Sequence, residues 1–151
     1  MNQTIKHLEN GDFEVMKDTK KLIKTLDKYF SQFIRLRDTD SQGYGNCITC
    51  HKELKWSDGN ETHNGHFATR NNMSTRWDER NCNIQCNYCN TFRHGEQFKH
   101  GEYIDWKHGK GTAESIMIKS KQVVKYLAVE LEEMINYYKK EVKRLKAEKN
   151  L

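Results

Sequence analysis

Leu22, Ile23, Leu26, Phe30, Phe33 and Ile34 recur three and four residues apart, with polar positions between them. One face of a helix has that spacing, so the pattern predicts a helix from about Phe13 to Arg37. The run Asp38-Thr39-Asp40-Ser41-Gln42-Gly43 ends it, because Asp, Ser and Gly favour turns. A second periodic stretch starts at Thr112, which reads as an N-cap with Glu114 in the first turn. Ile116, Val123, Val124, Leu127, Leu131, Met134, Ile135 and Tyr138 form its apolar stripe, which continues through Val142 and Leu145. A break near Tyr126–Ala128 would divide it into two helices. The stripe is expected to bury against the N-terminal helix or a second subunit, whereas the charged run from Lys139 to Lys149 reads as a solvated helix end.

Between these stretches the pattern changes. Residues 44–111 hold all five cysteines and six of the seven histidines, and their apolar residues are sparse and without a long period. Such a segment cannot fold on hydrophobic burial alone and calls for a metal staple. The predicted organisation is an N-terminal helical segment (1–43), a core (44–111) and C-terminal helices (112–151) within one compact domain.

Composition narrows this picture. Hydrophobic residues make up 35% of the chain and charged residues 31%, so the expected apolar centre is small and completed by a metal or a second subunit. No run of apolar residues is long enough to span a membrane. Met1 to Asn10 lacks the apolar region of a secretory signal, which predicts a cytoplasmic protein. Net charge is +5, spread along the chain without a polybasic tail, and only weakly favours a polyanionic partner.

In a reducing compartment cysteines are metal ligands more often than disulfides. Cys47-Ile48-Thr49-Cys50 and Cys86-Asn87-Tyr88-Cys89 are two CxxC pairs with 35 residues between them. Two residues between thiolates let both sulfurs turn to one ion, and four sulfurs close a tetrahedral zinc site. A redox CxxC is disfavoured by the second pair and by the lack of a βαβ pattern. Cys82 is left over and reads as a buried or idle thiol. Closed by four sulfurs, the zinc would clamp the two ends of the insert rather than do chemistry.

The insert carries His63-Asn64-Gly65-His66-Phe67, then Arg70, Arg76-Trp77-Asp78, Arg80 and Asn81, and Asn90 and His94 follow the second CxxC. Phosphodiester hydrolysis needs a base for water, a cation at the phosphate and positive groups for the backbone. This set offers a candidate for each. A strand around Thr62–Thr69 would present His66, and a short helix from Asn87 to about His94 would place Asn90 and His94 on one face.

These residues resemble the fingerprint of zinc-knuckle HNH (His-Me finger) nucleases: a CxxC, a strand bearing the catalytic His, an Asn five residues before the next CxxC, and His or Asn just after it. His66, Asn81 and Asn90 occupy those places. More specifically, the chain resembles the phage NinG/Rap recombination nucleases. The matching stretches are Leu26-Asp27-Lys28-Tyr29-Phe30, Ile34-Arg35-Leu36-Arg37-Asp38, Gly65-His66-Phe67, Thr75-Arg76-Trp77-Asp78-Glu79, Gln85-Cys86, Cys89-Asn90 and Gly109-Lys110-Gly111-Thr112-Ala113-Glu114. The resemblance spans about residues 20–145.

It implies an α+β, mostly helical fold: a small zinc-stapled ββα-metal core flanked by an N-terminal helix and C-terminal helices. It also implies a phage or prophage protein that cleaves branched DNA such as Holliday junctions and D-loops. His66 would be the general base, Asn81 would steady the loop, and Asn90 would bind a catalytic Mg²⁺ or Mn²⁺ with His94 and His63 behind it. Arg70, Arg76, Arg80 and Arg93 would contact DNA. A homodimer is a further expectation.

The chain departs from that pattern at Gly65, where related proteins carry a metal-binding side chain before the base. His63 could substitute if a bulge at Gly65 turned it to the face of His66.

Each residue also has a plainer reading: His66 as a structural imidazole, Asn81 as a turn residue, Asn90 as a cap, His63 and His94 as surface residues, the arginines as surface charge and Trp77 as core. His51, His100 and His108 have no partner pattern. Two other functions compete. A non-catalytic zinc-ribbon DNA-binding protein would keep the knuckle and arginines but leave His66, Asn81 and Asn90 unexplained. A scaffold protein would use the C-terminal helix to pair with a partner.

Overall fold

The computed structural model describes residues 10–151, and side chains from Thr19 onward. The signal-peptide reading of Met1–Asn10 therefore falls almost wholly outside the described residues. Helix α1 (Asn10–Arg37) starts earlier than the apolar spacing predicts. It is followed by β1 (Tyr44–Asn46), β2 (Glu53–Lys55), β3 (Thr62–His66), β4 (Cys82–Cys86) and a π-helical turn, Tyr88–Phe92. Helices α2 (Gln97–His108), α3 (Thr112–Ser120) and α4 (Ala128–Lys149) complete the chain. The protein is α+β with about half of its residues helical. Among the described residues no helix is long and apolar enough to cross a membrane.

The core forms where the two longest helices meet. Leu26, Phe30, Phe33 and Ile34 of α1 pack with Leu131, Ile135, Tyr138, Val142 and Leu145 of α4. The α4 set repeats every three and four residues, as a helix-pair seam requires. Tyr138 stands edge-on to Phe30, ring centroids 4.9 Å apart, and gives its hydroxyl hydrogen to Glu79. Lys149 does not end in solvent, because its ammonium donates to the carbonyl of Leu36 in the last turn of α1 and to that of Thr39 just beyond it. Cations favour such carbonyl-rich helix ends.

The predicted stripe needs three corrections. Val123 and Leu127 are exposed, because residues 121–127 leave the helical path between α3 and α4. Ile116 joins a separate cluster with Phe67, Ala68, Ile104 and Ala113. Thr112 does not cap α3: the residue before the helix is Gly111, at φ 90°, and the Thr112 hydroxyl donates to the Gly109 carbonyl.

There are two small antiparallel sheets, and the second packs against α1. In the first, β1 pairs with β2, and the connecting loop holds Cys47 and Cys50. In the second, β3 pairs with β4 in an unbroken register from Thr62 opposite Cys86 to His66 opposite Cys82. Arg37 and Asp38 tie this sheet to the end of α1. The Arg37 guanidinium donates to Asp38 and to the carbonyls of Glu79 and Cys82, and Asp38 accepts the Ile84 amide.

Candidate functional site

The four CxxC sulfurs converge. Cys47 and Cys50 come from the β1–β2 loop, Cys86 ends β4, and Cys89 lies in the π-helical turn. Their sulfurs all lie within 4.8 Å of one another, with Cys50 and Cys86 3.6 Å apart. Zinc–sulfur bonds of about 2.3 Å place tetrahedral sulfurs roughly 3.8 Å apart, so the donor set fits one zinc ion. Cys82 is fully buried, and burial first of all pushes its thiol well above the ordinary range.

A separate cleft of about 720 Å³ opens where α1, β3 and the π-helical turn meet. His63, Asn64 and His66 line it from β3, and Asn90, Thr91 and His94 from the turn and its end. Asp27, Ser31 and Arg35 line it from α1, with Thr69 and Arg70 from the loop after β3. His63 and His66 both line it although the β3–β4 register is unbroken and has no bulge at Gly65.

One hydrogen bond orients the His66 ring. Its Nε2 lies 2.9 Å from the carbonyl oxygen of Arg76. A carbonyl only accepts, so Nε2 carries the proton and Nδ1 the lone pair. Nδ1 has no partner among the described residues and is not among the buried, unsatisfied atoms. Burial pushes the His66 pKa below its ordinary value, against the pull of the Arg76 carbonyl and Asp27. The arrangement is a neutral imidazole with its lone pair free.

Asn81 is fully buried and does not line the cleft. It accepts the Ala68 amide at 2.6 Å and donates to the carbonyls of Ala68 and Thr75. It thus holds the loop that supplies the Arg76 carbonyl to His66. Trp77 is buried, and its indole N–H donates to Asp27.

Gly65 is explained by its neighbour. A Cβ there would stand 2.2 Å from Oε1 of Gln85, whose amide donates to the Gly95 carbonyl at 2.8 Å. The space that a metal-binding side chain would need is filled.

His63 bonds through both ring nitrogens, Nε2 to the Asn60 carbonyl and Nδ1 from the Asn90 amide at 3.0 Å. That leaves Asn90 Oδ1 and the His94 ring without partners among the described residues. His94 itself stands just past the π-helical turn, at φ 53°.

The four predicted DNA-contacting arginines separate. Arg76 makes a two-point ion pair with Asp27, at 2.5 and 2.9 Å, and is largely buried. Arg80 pairs with Asp78, and Arg93 with Glu96. Only Arg70 of the four lines the cleft. Sequence reasoning missed Asp27, which binds Arg76 and Trp77, and Arg35. Both lie in stretches already singled out for family resemblance, which was the available signal. His100 is buried against Asn83, outside the cleft, and burial pushes its pKa down to about 3.

An α+β chain with a four-cysteine cluster that fits a zinc ion and a histidine-lined cleft is thus defined. The family model described as Bacteriophage Lambda NinG protein matches residues 5–148, and the chain belongs to this family of phage recombination proteins. No curated protein and no solved structure matches significantly.

Proposed function

We propose that the protein is a metal-dependent HNH-type DNA endonuclease that cleaves branched recombination intermediates. The observation that carries this reading is the free Nδ1 of a half-buried, neutral His66 beside Asn90 and His94 in one cleft. The order β3, β4, π-helical turn supports a ββα-metal unit, with the base on the first strand and Asn90 on the turn. The zinc cluster clamps that unit and takes no part in the reaction.

In the proposed reaction His66 Nδ1 removes a proton from water as the oxygen attacks phosphorus. The P–O3′ bond breaks opposite the attack and the leaving O3′ takes a proton from solvent water, which leaves 5′-phosphate and 3′-hydroxyl ends. Asn90 Oδ1 and His94 fit a hard divalent ion that takes most of its ligands from water and the substrate, and Mg²⁺ or Mn²⁺ bound there would neutralise charge on the phosphoryl oxygens. His63 holds the Asn90 amide in place. Branched substrate is the finer part of the proposal and is supported by the family. A homodimer would bring two such clefts to one junction.

The test incubates the protein with matched linear, flap and four-way-junction DNAs plus Mg²⁺ or Mn²⁺. Metal-dependent cleavage, strongest on the junction, is expected. Binding to all three without cleavage of any would overturn the nuclease reading in favour of a zinc-ribbon DNA-binding protein.

A further inference from the structure

The chain has seven arginines. Five have a carboxylate within ion-pair distance: Arg37, Arg76, Arg80, Arg93 and Arg144. The other two, Arg35 and Arg70, have no carboxylate partner among the described residues, and both line the cleft that holds His66.

Arg35 is the more informative of the pair. It is half-buried on α1, and its one bond runs from Nε to the Ser31 carbonyl a turn earlier, at 3.4 Å. Burial lowers its pKa, so its charge is held at a cost in free energy. The protein gives its other partly buried arginines an internal anion, Asp38 for Arg37 and Asp27 for Arg76. Asp27 is the one carboxylate among the residues lining this cleft, and Arg76 and Trp77 already occupy it. No carboxylate among the described residues is left to complete Arg35, so its site is open to an anion that the chain does not supply there. A guanidinium fork matches the non-bridging oxygens of a phosphate.

We infer that Arg35 is a phosphate-gripping residue supplied by α1, acting with Arg70 from the loop after β3 to hold a nucleic-acid backbone in the cleft. That the anion is a nucleic-acid phosphate rests on the nuclease reading. Arg35 positions substrate and does not touch the transferred proton.

The experiment measures binding of a fluorescein-labelled DNA duplex and four-way junction by anisotropy, without added divalent ion, over a series of salt concentrations. Arg35→Gln should weaken binding about tenfold and reduce the slope of log K against log salt by about one, as the loss of one phosphate contact predicts. Arg35→Lys should keep the slope, because the charge remains. Arg144→Gln, on the exposed face of α4, should behave as wild type. Zinc content and melting temperature establish folding of each variant; a misfolded Gln variant is replaced by Arg35→Met under the same criteria.

An unchanged slope and affinity in the neutral variants would overturn the inference, even if the wild type cleaves DNA. If the slope falls as expected but neither Mg²⁺ nor Mn²⁺ elicits cleavage, the nuclease reading fails and the role of Arg35 stands. Absence of DNA binding by the wild type would remove both.

Discussion

His66 Nε2 and the carbonyl oxygen of Arg76 lie 2.9 Å apart, and this contact decides which imidazole nitrogen can accept a proton. The carbonyl is fixed in turn from two sides. Asn81 holds the preceding Thr75 carbonyl, and Asp27 holds the Arg76 guanidinium. A helix, a loop and a strand far apart in sequence thus converge on one tautomer. In the proposed mechanism, Nδ1 is the base.

His66→Ala should lower DNA cleavage by about 10²–10⁴-fold, the usual effect of removing a general base. Zinc content, melting temperature and DNA affinity should stay near wild type, since the ring gives the fold one hydrogen bond. Plasmid nicking with Mn²⁺ measures it. Cleavage within about threefold of wild type, well inside the general-base range, would remove His66 from the mechanism.

The pH dependence has a defined sign. Burial lowers the His66 pKa, and only the neutral ring can take a proton. The rate should therefore rise with pH along an acidic limb lying below the ordinary histidine value and be level by neutral pH. Single-turnover cleavage measured across that limb, with zinc content followed in parallel, tests this. A rate still climbing well above neutral pH would assign the base to another group.

Cys86→Ser should lose the zinc and most of the cooperative unfolding transition, because four sulfurs join the β1–β2 loop to the end of β4 and the following turn. Metal analysis and calorimetry measure both. About one zinc per chain with native stability would refute the assignment. Chelation by EDTA should stop wild-type cleavage at concentrations that leave this zinc bound.

Gly65→Ala should destabilise the fold by about 1–3 kcal/mol, the usual range for inserting an atom into a packed site. The new Cβ would stand 2.2 Å from Gln85 Oε1 and drive that amide off the Gly95 carbonyl. Urea unfolding reads the change. In the Gln85→Ala background the added Cβ should cost much less; an equal cost in both backgrounds would mean that Gln85 is not what fills the space.

Much of this was legible in the sequence, for reasons specific to each part. The four clustered cysteines stand out because the geometry of a single metal ion would fix their spacing. The α4 seam from Leu131 to Leu145 follows from helical periodicity, whereas Val123 and Leu127 fit the same count and yet lie at the unwound join. Arginine roles were only partly readable. Asp78 stands two residues before Arg80, and Glu96 three after Arg93, so those pairings had a local signal. The partner of Arg76 lies 49 residues away on α1, and only the folded chain brings Asp27 to it. Gly65 reads from sequence as a missing ligand; only the packing of Gln85 shows it as a required gap.

The placement of Asp27, Ser31 and Arg35 in the cleft bears on how the chain can be divided. A fragment cut at the turn after α1 would keep every cysteine and both cleft histidines of β3. It would lack the carboxylate that restrains Arg76 and one wall of the cleft. Such a fragment should bind zinc yet be inert, and adding α1 as a separate peptide could restore it only by docking against both the sheet and α4. On the proposed function the long helix is part of the working site, and the smallest active unit would extend well beyond the insert between the two cysteine pairs.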